Sequence, residues 1–438
     1  DTTGGRCGDF QLHRLTASGH GDADMDERII SIIGEGVEFA VATDHNHHTD
    51  YQPTIDELGG REYVTAVTGN EVSTPAGHFN AFPLEPNDAP VEHRIGDAKT
   101  LFTMIRAQQN RFGITPVIQL NHPRWGGIDY FGQTRLDPVS AATASPEFSY
   151  DFDTIEVLNE NTAWGYRNAE VGGAISTGSG KHSVLEDWFH LLNRGHRYAA
   201  VGNSDSHHVE EVIAGVPRNY MPSATDDPGA INAADVARRL RERNVFTTTG
   251  PFLSVRVNDQ PLGSTVNALG RPVNVSLRIQ AASWIDVDRV KFIFNGDVLR
   301  EIPVPASREV ERLNTTVELA LPHDGWLAVI VEGDEPLAPI VHAGGGRDVL
   351  PIAIANPVWV DQDGDGQWTS PAVRMRDIML SGEFERMRAS GRLASLGAHE
   401  QALILENASV LGRAVAIPLI EAGLTSPDRV VLLTAAKV

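Results

Sequence analysis

The histidines of this sequence are not scattered evenly. Thirteen of the sixteen fall between His13 and His208, leaving His323, His342 and His399 beyond. Several belong to polar clusters: Asp44-His45-Asn46-His47-His48, Gly69-Asn70-Glu71 followed by Gly77-His78, Asn121-His122-Pro123-Arg124, and Asp205-Ser206-His207-His208, joined by Asn159-Glu160-Asn161. Each cluster follows an apolar run with strand character, over residues 39–43, 63–68, 117–120, 154–158 and 198–201. In parallel β/α architectures ligand sites lie at the carboxyl ends of strands, so five such clusters are expected at one mouth. Crowded carboxylates and imidazoles repel or shift one another's pKa unless positive charge sits among them. Divalent cations supply that charge, and mixed imidazole and carboxylate ligation suits Zn, Mn or Fe. A carboxylate such as Glu71 can bridge two cations. A lone Asp-His after a strand is more often a loop hydrogen-bond pair. Five clusters at five strand ends point instead to a metal site.

The elements that must position these clusters follow from periodicity. Over the first ~250 residues apolar runs alternate with amphipathic stretches, the pattern of an α/β domain. Asp24 and Glu27 form a capping-box pair opening a helix over 25–34. Further helices are expected over 97–112, stopped by Gly113, and over 183–194, stopped by Gly195. After Thr247-Thr248-Thr249-Gly250-Pro251 the pattern changes to short alternating segments at 254–257, 274–279, 290–294, 316–321 and 327–331. Turns such as Asn295-Gly296-Asp297 separate them, which reads as an antiparallel β-sandwich. From Met375 the pattern is helical, with one long run over 402–422 and a last short helix. The expected divisions are 1–253, 254–372 and 373–438.

Composition narrows the partners. Formal charge is 36 − 58 = −22, an acidic surface that repels phosphate backbones and argues against nucleic-acid binding through a basic patch. Cys7 is the only cysteine, so no internal disulfide exists. No apolar run approaches the ~20 residues of a membrane-spanning helix. The expected partner is a small-molecule substrate. The chain starts at Asp1 without a signal-peptide pattern, which reads as a processed form or a fragment.

In order and spacing, Asp9-Phe10-Gln11-Leu12-His13, Thr43-Asp44-His45, Gly69-Asn70-Glu71, Gly77-His78, Asn121-His122-Pro123 and Ser204-Asp205-Ser206-His207 resemble the motifs of the polymerase-and-histidinol-phosphatase (PHP) superfamily. The run 42–51, Gly77-His78-Phe79-Asn80 and Gly215-Val216-Pro217-Arg218 resemble its carbaryl-hydrolase-like branch. The resemblance covers about residues 8–255. It implies a distorted seven-stranded (β/α) barrel with two or three metals, the sandwich and helical tail following it. It further implies that His13, Glu71 and Asp205 hold one metal, that Glu71, His78 and His122 hold a second, and that His45 and His207 hold a third. The family's opening His-x-His stands here as Gln11-x-His13, and Gln offers only a neutral carbonyl oxygen. After His13 the family places a further ligand. His20 or Asp22 is preferred for it over Asp24, which has the capping role.

The mechanism expected from such a site is a water activated between cations and attacking a phosphoester. Carbamate or carboxylic ester hydrolysis at the same centre is the alternative, and a non-catalytic, metal-stabilised binding module is another. Arg124 and Arg218 are candidates to grip an anionic or carbonyl oxygen. His47 or His208 could deliver a proton to the leaving group. Trp125, Tyr130, Phe131, Trp164 and Tyr166 could stack on an aryl group or pack the wall. His93, His182, His190 and His196 are read as solvated or packing residues. Far from this cluster, Asp361-Gln362-Asp363-Gly364-Asp365-Gly366 matches the start of a calcium loop, but Ala372 stands where an EF-hand has Glu. Asp361, Asp363 and Asp365 are therefore candidate ligands of a structural calcium. That loop and the missing Met start favour an extracytoplasmic location.

Overall fold

The computed structural model describes residues 4–160, 183–341 and 348–438. The chain is a mixed α/β molecule with three sheets and twelve α-helices among the described residues, the last five helices forming a C-terminal stretch. No described helix is long and apolar enough to cross a membrane.

The first ten strands are β1 (Gly5–Leu12), β2 (Phe39–Ala42), β3 (Thr65–Thr68), β4 (Asn70–Thr74), β5 (Gly77–Phe82), β6 (Val117–Leu120), β7 (Thr154–Asn159), β8 (Ala199–Asn203), β9 (Arg218–Pro222) and β10 (Phe246–Thr248). β1, β2 and β3 pair in parallel, and so do β6, β7 and β8. The hairpin β4–β5 carries the chain from one set to the other, with β5 antiparallel to β6. Two isolated parallel bridges, Leu12 with Ser206 and His45 with Glu71, stitch the two sets at their carboxyl ends. Between them lies one apolar core (Phe10, Phe39, Val41, Val67, Val201 and neighbours). A second core (Leu12, Ile29, Ile32, Ala40, Ile55) packs under the helices Met25–Gly34 and Gln52–Glu57.

The later strands are β11 (Phe252–Val257), β12 (Thr265–Asn267), β13 (Val273–Gln280), β14 (Arg289–Phe294), β15 (Asp297–Pro303), β16 (Glu311–Leu319), β17 (Gly325–Glu332) and β18 (Ile352–Asp361). β11, β13 and β16 form a three-stranded antiparallel sheet with strict alternation of burial on β11, as a half-solvated strand requires. It packs on β14, β17 and β18 through Val255, Leu277, Phe292, Val329 and Val358. The second layer of this sandwich is not separate from the first half of the chain. β18 pairs with β10, and β10 with β9, so one hydrogen-bonded path runs from β15 through β18 to β3, across the division read at 253/254. β17 and β18 are buried on both faces, one against the sandwich and one against Trp188 and Phe189 of the first half. That is why the sequence of β18 shows no alternation.

Two helices differ from the expected bounds. The helix read over 97–112 is Ala98–Ala107, because Gln108 is extended and Asn110 bonds its own loop at Phe112 and Ile114 instead of continuing the ladder. The run read over 402–422 is two helices, Ala398–Glu406 and Arg413–Leu424, divided at Gly412, whose φ of 74° a side chain would resist. The capping box at Asp24 and Glu27 forms as read, with bonds of 2.9 and 3.1 Å.

Candidate metal centre

Every ligand-type residue of the first half that gathers at one place sits at a strand end. His13 follows β1, His45 follows β2, Glu71 opens the hairpin, His78 begins β5, His122 follows β6, and Asp205 and His207 follow β8. The hairpin turn is tight because Gly77, at φ 134°, lies against the Tyr130 backbone, where a Cβ would come within 2.8 Å. Asn46, His122, Glu160 and Asp205 all have positive φ (54°, 28°, 50° and 52°), one after each of β2, β6, β7 and β8. Such backbone costs on the order of 1–3 kcal/mol per residue and persists only where surroundings hold it. At His122 the holding group is Glu156, whose Oε2 accepts the His122 N–H at 2.6 Å.

Glu71 is the centre of the cluster, and its two oxygens serve different histidines. Oε1 lies 2.9 Å from His78 Nδ1 and 3.3 Å from His122 Nε2. Oε2 lies 3.1 Å from His13 Nε2 and 3.3 Å from His45 Nδ1. Asp205 divides in the same way, with Oδ1 3.1 Å from His13 Nε2 and Oδ2 3.9 Å from His122 Nε2. His45 Nε2 and His207 Nε2 face each other at 3.4 Å. Two nitrogen ligands of one tetrahedral ion, each about 2.05 Å from it, lie about 3.3 Å apart. Among the described residues, three groups in this basin have the spacing to hold an ion: His13, His45 and His207; His45, Glu71 and His78; His13, Glu71 and Asp205.

The donor set fits divalent metals on a further count. His13 Nε2, Glu71 Oε2 and Asp205 Oδ1 are buried without a hydrogen-bond partner among the described residues. At His13, His45 and His207 the opposite ring nitrogen is engaged, as ligating imidazoles require for orientation. His13 Nδ1 lies 3.0 Å from Ser18 Oγ, whose hydroxyl donates to Asp44 Oδ1 at 2.9 Å. Nε2 of His13 is thereby left bare. His45 Nδ1 is 2.8 Å from Ser73 Oγ, and His207 Nδ1 is 2.9 Å from the Asp205 carbonyl.

The buried ionisable groups of the basin shift one another strongly. Burial works against the His13 imidazolium, but Asp205 and Glu71 overcome it and raise its pKa to about 10. The same contest lifts His122 to about 9. Burial holds His45 down at about 4 and His207 at about 3, with His13 adding repulsion to both. Glu71 and Asp205 are held well below the usual carboxylate range despite burial, by the histidines around them. Glu156, buried behind His122, is pushed up by desolvation to about 8.

Other residues singled out in the sequence fall in varied places. Gln11 is fully buried, and neither atom of its amide has a partner among the described residues. His20 lies exposed at the rim with its ring stacked on His207 (4.3 Å between centroids) and His45 (5.0 Å). Asp22 is outside the cluster: it is exposed, accepts the Val209 N–H and pairs with His208 at 3.4 Å. It fastens one rim loop to another. Asp24 caps its helix. His47 is exposed and makes no approach to the cluster among the contacts described, and His208 is committed to Asp22. Arg124 corrects the reading of a substrate grip. It is buried, donates twice to Asp187 (2.7 and 2.8 Å) and once to the Leu136 carbonyl, an ion pair of the core. Arg218 donates to the Gly215 carbonyl at 2.6 Å and lies beside Cys7 Sγ. Tyr130 and Phe131 are fully buried wall residues, whereas Trp125 is half-buried with its ring edge-on to His122 at 5.7 Å. Asn161, Trp164, Tyr166, His182 and His342 lie outside the described residues.

Sequence reasoning passed over Ser18, Ser73 and Glu156. The serines carry no signal in isolation. Glu156 does, as a carboxylate inside a strand whose other residues are all buried.

No family model matches this chain, and no curated protein does. Among solved structures, the crystal structure of an engineered protein, a Northeast Structural Genomics Consortium target, matches with TM-score 0.16 and 12% identity over 47% of this chain. The match spans 41% of that protein's own length. A likeness this slight carries no argument about fold or function.

Proposed function

We propose that the chain is a metal-dependent hydrolase built on a distorted PHP-type barrel, with two or three divalent transition metals (Mn, Zn or Fe) at the basin around Glu71. The observation that carries this reading is the division of labour at Glu71 and Asp205, each offering one oxygen to one set of imidazoles and its other oxygen to another. That arrangement suits carboxylates shared between neighbouring ions. His13, Glu71 and Asp205 would hold one, Glu71, His78 and His122 a second, and His45 with His207 a third. When bound, such ions supply a nucleophile deprotonated near neutral pH and polarise the bond under attack. The chain's own contribution is to fix ring orientation through Ser18, Asp44 and Ser73, and to hold a substrate at the rim beside His20 and Trp125.

Phosphoester hydrolysis is the first substrate class proposed. A carbamate or carboxylic ester gains ground from two observations. The arginines best suited to a phosphate, Arg124 and Arg218, are spent on Asp187 and Gly215, and Trp125 presents an aromatic surface next to His122. Purified protein should be assayed on p-nitrophenyl phosphate, bis-p-nitrophenyl phosphate and an aryl methylcarbamate, with and without Mn or Zn. Metal-dependent turnover on one of them is the expected result. Bound metal without turnover on any would leave a metal-stabilised binding module, and protein that retains no metal would end the reading altogether.

A further inference from the structure

Far apart in sequence, the turn before β17 and the end of β18 bring together three carboxylates. Asp324, Asp361 and Asp363 each place an oxygen within 4.8 Å of the other two. The oxygens of one calcium shell, each about 2.4 Å from the ion, lie at most about 5 Å apart, so all three fit one ion. Asp324 and Asp361 are buried, and no ion pair with Lys, Arg or His forms at any of the three among the described residues. Arg374, which lines the cavity beside Asp324 and Asp363, pairs with Glu400 at 3.3 Å. His323 is likewise taken, by Glu400 at 2.9 Å and by the Asp324 carbonyl.

An independent observation concerns Gln362. It is 7% exposed and lines, with Asp324, Asp363 and Thr369, a cavity of about 640 Å³. Its Nε2 donates to the Arg271 carbonyl, but its Oε1, sealed from solvent, has no donor among the described residues. A buried carbonyl oxygen without a donor is costly unless something electropositive meets it. An all-oxygen set without imidazole or thiolate selects hard cations.

We propose that Asp324, Asp361 and Asp363, with the Gln362 side-chain oxygen, form a calcium site that fastens the C-terminal helical stretch to the sandwich. Asp324 already accepts the Thr369 N–H at 2.9 Å, and the next residue, Ser370, caps the helix Pro371–Leu380. An ion here ties the end of β18, the turn before β17 and the entry to that helix in one knot. Asp365 is not among the three carboxylates whose oxygens lie within 4.8 Å of one another.

Trp368, whose indole donates to the Gly325 carbonyl beside Asp324, makes the test direct. Terbium should bind the intact chain saturably with tryptophan-sensitised emission, and calcium should displace it. Asp363→Asn keeps the Asp365 turn bond and alters an exposed side chain, so it should fold normally, yet weaken terbium and calcium binding at least tenfold. Glu71→Gln should leave the calcium-displaceable signal intact, which separates this site from the basin. Calcium should also raise the midpoint of thermal unfolding, and Asp363→Asn should abolish that rise. No calcium-displaceable emission, or unchanged affinity in Asp363→Asn, overturns the proposal.

Discussion

The basin around Glu71 and the loop around Asp361 bring carboxylates together by opposite means. The basin takes its residues from the ends of five strands, and its central atoms, His13 Nε2, Glu71 Oε2 and Asp205 Oδ1, have no hydrogen-bond partners among the described residues. The loop takes most of its residues from one turn. There Asp361 accepts the Gly364 and Gly366 N–H groups, and Asp324 those of Gln362 and Thr369. Backbone amides do for the loop part of what only cations or protons do for the basin. The comparison teaches that proximity of acidic groups is a poor measure of metal dependence. The count of buried donor and acceptor atoms left unmatched is a better one. Removing divalent ions should therefore disturb the basin severely and the loop mildly.

Substitution at the centre of the basin is the strongest challenge to that contrast. Glu71→Ala should strip the transition metals and lower metal-dependent turnover by three orders of magnitude or more, on the scale seen when a group shared by a whole site is lost. Elemental analysis and the assays above would report it, and a variant that kept its metals would show the unmatched atoms to be a misleading guide. Arg124→Ala comes next. If Arg124 is a core ion pair, removing it takes two charge-assisted hydrogen bonds from the buried Asp187 carboxylate, at roughly 1.5–3 kcal/mol of stability. Urea unfolding should show this with KM unchanged in the surviving folded protein; a raised KM at unchanged stability would restore the substrate grip. Ser18→Ala should cost about tenfold in affinity for the first metal, as loss of an orienting partner typically does. Direct metal titration would show it, and Ser18→Thr should restore most of the loss.

A further effect is expected on pH dependence. Asp9 accepts bonds from Ser204 and from the Gly215 N–H, yet burial still pushes its pKa up from 3.8 to about 6. Because the folded state holds this proton more tightly, its contribution to stability is complete below pH ~4 and is lost as pH rises through about 6. A shift of two units corresponds to roughly 3 kcal/mol at most. In Asp9→Asn the fall in denaturant midpoint between pH 4 and 6 should flatten. An unchanged slope would place the titration elsewhere.

Much of the first half was legible because strand ends and polar clusters are both local signals. Val117–Leu120 appears with the bounds read from its sequence, and His13, His45, Glu71, His78, His122, Asp205 and His207 do converge. What was not legible depended on contacts between distant segments. Arg124 looks the same in sequence whether it faces a substrate or Asp187, sixty-three residues on. Asp324 carries no motif and joins the Asp361 loop only because β17 pairs with β18. β18 itself escaped notice because burial on both faces erased the alternation by which a strand is recognised.

The continuity of the large sheet has a practical consequence. β10 offers one edge to β9 and the other to β18, so a fragment ending near residue 253 would carry an open strand edge in its interior-facing sheet. Unpaired edges of that kind recruit other chains. Such a fragment, though it would contain the whole metal basin, should be prone to self-association, and expression trials that keep residues 254–361 should yield the better-behaved material.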